Sequence, residues 1–153
     1  MHPVGIMRRG AVLYSARFST LAGGGATGGG ANSYYTDSAS YQRIHQSRFT
    51  LNVSNFPNAT FYLQAVYRAG AAADTDRTFY MNLADITGGT DIANSEISGT
   101  VKSTAGNVLD IITGSANFGT NLPAGNRNYC LQIKSNANGT FVDLYEGRVL
   151  VQY

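Results

Sequence analysis

The sequence predicts an all-β protein: a two-sheet antiparallel β-sandwich, a jelly roll of about eight strands. Three observations carry this prediction. Eighteen Gly, ten Tyr and seven Phe in 153 residues favour strands and turns, because Gly and Tyr fill helix interiors poorly. Short segments of period-two alternation recur along the chain between clusters of Gly, Asn, Asp and Ser, and no stretch sustains a helical period. One Cys and no Trp leave no Cys…Trp…Cys core for an immunoglobulin-type sandwich. A closed barrel of about eight strands is the rival architecture.

Taken in order, residues 1–10 (MHPVGIMRRG) read as an extended N-terminal arm and residues 11–153 as a single domain. Pro3, Gly5, Arg8 and Arg9 break the arm's apolar run, so no secretion signal is read there. Residues 11–19 (AVLYSARFS) form a strand with Val12, Tyr14, Ala16 and Phe18 on one face. Residues 20–32 (TLAGGGATGGGAN) carry six Gly and no charge, the composition of a long loop. A short piece at 33–37 precedes a strand at 41–54, with Phe49, Leu51 and Val53 facing one way and Arg48, Thr50 and Asn52 the other.

After the turn Asn55-Phe56-Pro57-Asn58, TFYLQAVYRA is partly apolar on both faces, which predicts a central strand covered on both sides. Residues 70–76 make a turn and 77–86 the next strand, with Phe79, Met81 and Leu83 inward. Thr87-Gly88-Gly89-Thr90 is a tight reversal. Further strands are read at 96–102, 108–113, 128–135, 140–146 and 148–153, the last two joined by a turn at Glu146-Gly147.

A net charge of +2 is too small for a nucleic-acid footprint, and no apolar run approaches the roughly 18 residues of a membrane span. The chain is therefore expected to be soluble and made in a cytoplasm, with neither nucleic acid nor membrane as partner. Titratable groups are scarce: two His, one Cys and nine acids. His2 and His45 lack further ligands at metal-binding spacing. Residues 23–28 (GGGATG) satisfy G-x-G-x-x-G, but no helix follows to hold a phosphate. Asp74-Thr75-Asp76 lacks the later ligands of a calcium loop. Asp110 and Asp143 both lie in strands, yet nothing in the sequence brings them together as a glycosidase pair. Cys130, between Tyr129 and Leu131, reads as a small buried residue. No catalytic, cofactor-binding or metal residue is expected.

What remains is binding. Nine Arg against two Lys, with ten Tyr, suit protein interfaces, since guanidinium pairs with carboxylates in a fixed fork and Tyr offers area at low entropy cost. Tyr rings gathered on one sheet face would also suit a glycan.

The stretch RFTLNVSNFPNATFYLQAVYRA, followed by FYMNLADITGGTDIANSEIS, resembles a β-sandwich module of tailed-bacteriophage virion proteins and some bacterial surface proteins. The likeness continues more weakly through Leu122-Pro-Ala-Gly to the final GRVLVQY, so it covers roughly residues 48–153. A chain of this size is similar to the small jelly-roll cement, or decoration, proteins of phage capsids. The resemblance implies a non-enzymatic virion protein on the capsid exterior that contacts the major capsid protein and its own copies, as a homotrimer ahead of a dimer. Interface residues are then expected in the arm, at Ile6, Met7, Arg8 and Arg9. Others are expected in the loop, at Gly23, Gly24, Gly25, Gly28, Gly29 and Gly30, where missing side chains permit close approach. The alternative is a carbohydrate-binding module of a tail fibre or cell-surface protein.

Overall fold

A computed structural model describes residues 11–17, 33–69, 76–101 and 108–153. Among them are eleven strands and three short 3-10 turns, with no α-helix. The strands are β1 (Ala11–Arg17), β2 (Tyr34–Thr36), β3 (Gln42–Arg43), β4 (Phe49–Leu51), β5 (Thr60–Ala69) and β6 (Arg77–Asp85). They continue with β7 (Thr90–Asp91), β8 (Ile97–Val101), β9 (Val108–Thr113), β10 (Arg127–Ser135) and β11 (Val142–Gln152).

All pairings are antiparallel. The first sheet runs β1-β11-β5-β9, with β2 also on β11; the second runs β3-β10-β6-β7, with β4 also on β10 and β8 also on β6. The short strands share edges: β1 with β2, β3 with β4, and β7 with β8. Eight strand positions result, four in each sheet, and the chain crosses between sheets in the order of a jelly roll.

The core lies between the sheets. Alternation on β5 sends Phe61, Leu63, Ala65, Tyr67 and Ala69 inward to meet Phe79, Met81 and Leu83 of β6 and Tyr129, Leu131 and Ile133 of β10. The Tyr67 and Phe79 rings stack at 4.7 Å. The β5 strand is central, as read from its sequence, but its other face (Tyr62, Gln64, Val66, Arg68) is half-exposed rather than covered.

Three further readings are corrected. Residues 142–152 form one strand, with no turn at Glu146-Gly147. The register slips between Leu144 and Glu146, so Tyr145 bulges; Val142 and Leu144 face the core before it, Val149 and Val151 after it. Gly147 is buried, and a Cβ there would overlap Leu131 of the facing sheet. Close packing, not a reversal, requires that glycine. On β1 a bulge between Val12 and Tyr14 separates two residues read onto one face: Val12 lies opposite Leu150 and is 54% exposed, while Tyr14 lies opposite the buried Val149.

The 41–54 strand is broken in two. Between β3 and β4 the chain forms a 3-10 turn, His45–Ser47, which places His45 on an exposed turn rather than a strand. The Ile44 amide donates to the Leu131 carbonyl (2.9 Å), and the Leu131 amide donates to Ser47 Oγ (2.8 Å). Ser47 Oγ in turn donates to the Ile44 carbonyl (2.7 Å). The opposite edge repeats the device. The Ile92 amide donates to Leu83 O (2.9 Å), the Leu83 amide to Ser95 Oγ (3.0 Å), and Ser95 Oγ to Ile92 O (2.7 Å). Leu83 and Leu131 are cross-strand partners, so one rung of the second sheet is closed at both ends by an Ile-x-x-Ser clasp.

Candidate interaction surfaces

The outward face of the first sheet is built in rows by the register. One row carries Ser15, Arg148, Gln64 and Thr113; the next carries Arg17, Glu146, Val66 and Ile111; a third carries Tyr35, Asp143, Arg68 and Leu109. The first two rows are laced by hydrogen bonds. Arg148 grips Glu146 with Nε and Nη2, both at 2.8 Å, and donates from Nη1 to Gln64 Oε1 at 2.6 Å. Gln64 donates onward to Thr113 Oγ1 at 2.9 Å. Ser15 Oγ donates to Glu146 Oε1 at 2.6 Å, and Arg17 Nε lies 3.2 Å from that same oxygen. The Arg148 hydrogen bonds, helped by Ser15 and Arg17 against the opposing effect of burial, lower the Glu146 carboxyl to about 2.

Asp143 is fully buried and takes Nε (2.9 Å) and Nη2 (2.6 Å) of Arg68, with Ser33 Oγ at 3.1 Å. Phe141 lies beside this pair, with Tyr35 stacked at 5.8 Å and the guanidinium carbons of Arg68 and Arg77 at 5.9 and 5.4 Å from its ring.

Beyond Arg68 and Val66 the face turns apolar. Leu109 is 56% and Ile111 60% exposed, beside half-buried Val66. They sit on β9, the last strand of this sheet, and among the described residues no strand pairs with its outer edge.

The outward face of the second sheet is polar and aromatic. Lys134 Nζ lies 4.4 Å from the Tyr41 ring and 4.8 Å from the Tyr80 ring, and 3.8 Å from Glu96 Oε2. Tyr41 donates to the same carboxylate oxygen at 2.6 Å. Burial, and then this hydrogen bond, push the Tyr41 hydroxyl well above the usual phenol range. On the neighbouring row, Gln132 and Asn82 donate to Asp91 at 2.7 and 3.3 Å.

The residues weighed for chemistry do not converge. Asp143 is spent on Arg68, while Asp110 lies on the other side of β5, paired across from Tyr67, with Oδ1 accepting from the Ile111 amide at 2.8 Å. His45 Nδ1 sits 3.1 Å from Arg48 Nη2 on the exposed turn. Cys130 is buried, as read, and burial raises its thiol, which opposes nucleophilic use. Among the described residues no three His, Cys, Asp or Glu gather to hold a metal ion. No described helix is long and apolar enough to cross a membrane.

The expected contact residues Ile6, Met7, Arg8, Arg9, Gly23, Gly24, Gly25, Gly28, Gly29 and Gly30 lie outside the described residues, as do His2, Asp74 and Thr75. The sequence reading did not anticipate the Tyr41–Lys134–Tyr80 stack or the exposed pair on β9. For β9 the pattern pointed the other way, since Leu109 and Ile111 alternating with Asp110 read as two residues facing a core, whereas both are exposed. For the stack no signal existed, because register brings together Tyr80 and Lys134, which lie 54 positions apart in the chain and are linked by no local pattern. The chain matches no family model and no curated protein.

Proposed function

We propose that this chain is a non-enzymatic structural protein of a phage virion that binds the capsid exterior as a cement or decoration protein. Its partners in this reading are the major capsid protein and further copies of itself. The observation that carries it is the apolar pair Leu109 and Ile111, each more than half exposed, at a sheet edge that no strand pairs with among the described residues. Exposed apolar groups grouped at one edge favour association with another protein, whose burial of them is worth roughly 25 cal/mol per Å². The resemblance of residues 48–153 to virion modules points the same way. Three carboxylates are engaged in ion pairs: Asp143 with Arg68, Asp85 with Arg127 and Glu146 with Arg148.

The test is cosedimentation of the purified protein with capsids that lack it. Saturable binding in a fixed ratio to the major capsid protein is expected, reduced when residues 1–10 are removed. Protein that stays in the supernatant at all concentrations overturns the reading.

A second reading, a carbohydrate-binding module, is favoured by one observation: Tyr41 and Tyr80 lie half-buried on a sheet face shared with Glu96, Gln132 and Asp91. Binding on a glycan array that is lost in Tyr80→Ala, with no capsid binding, would put this reading in place of the first.

A further inference from the structure

The four sheet edges are not alike. The β1/β2 edge carries a bulge and is interrupted between Arg17 and Tyr34. The β3/β4 edge is broken by the His45–Ser47 turn, and the β7/β8 edge by the segment holding Ile92 and Ser95. Interruptions of this kind keep an edge from templating another strand. The β9 edge has none of them. Its six residues, VLDIIT, pair with β5 without a register shift and include no Lys, Arg or Pro.

The phase of its backbone follows from one hydrogen bond. The Gly114 amide donates to the Leu63 carbonyl at 2.8 Å, so the pairs that bond across this ladder are Leu63 with Gly114, Ala65 with Ile112 and Tyr67 with Asp110. Leu109, Ile111 and Thr113 must then turn their amides and carbonyls to the open edge. The Ile111 amide agrees with this assignment, since its acceptor is Asp110 Oδ1 and not β5.

The geometry points to a second copy of this chain as the occupant of that edge, paired β9 to β9 about a twofold axis. The register is selected by the residues themselves. With the axis at Ile111, Ile111 meets Ile111 and Leu109 meets Thr113, so all outward backbone groups pair, in about six hydrogen bonds. Each Asp110 then faces an Ile112. Moving the axis to Asp110 places two carboxylates directly opposite each other and leaves fewer bonds, and a one-residue slip presents groups already committed to β5. The Ile111 amide exchanges its Asp110 acceptor for the partner's Ile111 carbonyl. The first sheets of the two copies become one continuous sheet, and Leu109 and Ile111 gain neighbours across the axis.

A pairing of this type closes with two copies, not the three that the resemblance implies. A six-residue edge buries less than the roughly 1,200–2,000 Å² of a stable interface, so the dimer is expected to be concentration-dependent. The inference concerns self-association alone and does not depend on capsid binding.

Analytical ultracentrifugation of the full chain over a hundredfold concentration range tests it. The mass should climb from 16.3 kDa toward twice that value. Ile111→Pro should stay monomeric with little change in melting temperature, because the lost amide serves the edge and not β5. Asp110→Ala, which removes the competing acceptor, should tighten the dimer several-fold. Ile111→Cys should form a disulfide-linked dimer in air, since the paired Cα atoms would lie about 5.5 Å apart. A wild-type mass fixed at 16.3 kDa, a trimer, or an Ile111→Pro variant that associates as the wild type does would each overturn the proposal.

Discussion

At the scale of single residues, two serine hydroxyls act as pieces of backbone. Ser47 and Ser95 each accept from the amide of a buried leucine and donate to the isoleucine carbonyl three residues earlier. Both are buried, so an alanine in either place leaves a leucine amide with neither protein nor water to meet it. Ser47→Ala and Ser95→Ala should each lower stability by about 1–3 kcal/mol in denaturant unfolding. Ser98→Ala, at an exposed position of the same sheet, should stay within about 0.5 kcal/mol of the wild type. Glu146 sets a pH dependence. Its folded carboxyl is lowered from 4.5 to about 2, so the stabilisation is fully present above pH 4.5 and drains away as pH falls toward 2. Melting temperature measured across that window should decline less steeply in Glu146→Gln, which lacks the titrating group.

At the scale of elements, β1 and β2 are one edge strand in two parts. Arg17 lies opposite Glu146 and Tyr34 opposite Leu144, with only Tyr145 between them on β11. Two residues of extended chain span about 6–7 Å, so Ser33 alone can bridge the gap. A variant joining Arg17 directly to Ser33 should therefore fold, with the amide NMR spectrum of the second sheet unchanged and a melting temperature within a few degrees of the wild type. Under the capsid-binding reading, the glycines of the removed residues 18–32 are also expected contacts, so the same variant should fold yet bind capsids less well. Collapse of the spectrum instead would mean that residues 18–32 hold the first sheet together.

At the scale of the whole molecule, the sandwich was legible because several strands carry a buried face readable from local pattern, β5 most cleanly. TFYLQAVYRA and the segment from Arg77 both announce a buried face, and 108–113 and the strand ending at Ser135 fall where alternation placed them. What misled was phase. A bulged residue advances the alternation by one, so the bulge on β1 moved Val12 to the wrong face, while Glu146-Gly147, just past the Tyr145 bulge, read as a turn and split a single long strand in two. Ser47 hid a break for a related reason, since a hydroxyl that replaces a ladder partner leaves the hydrophobic pattern intact. The surfaces were less legible than the core. Arg68 and Asp143 are 75 positions apart, and only the register of β5 on β11 brings them to 2.6 Å.

The pairing of β1 with β11 also decides how the molecule carries a load. Ala11 lies opposite Val151, so a pull between residue 11 and the far end of β11 opens the edge as a zipper, one rung at a time. A pull entering at Arg17 and leaving past Gln152 runs along the two strands instead and strains every rung at once. One sheet edge is thus weak or strong by the point of attachment. A tether through the residues after Arg17 would hold under tension that a tether through the arm would not.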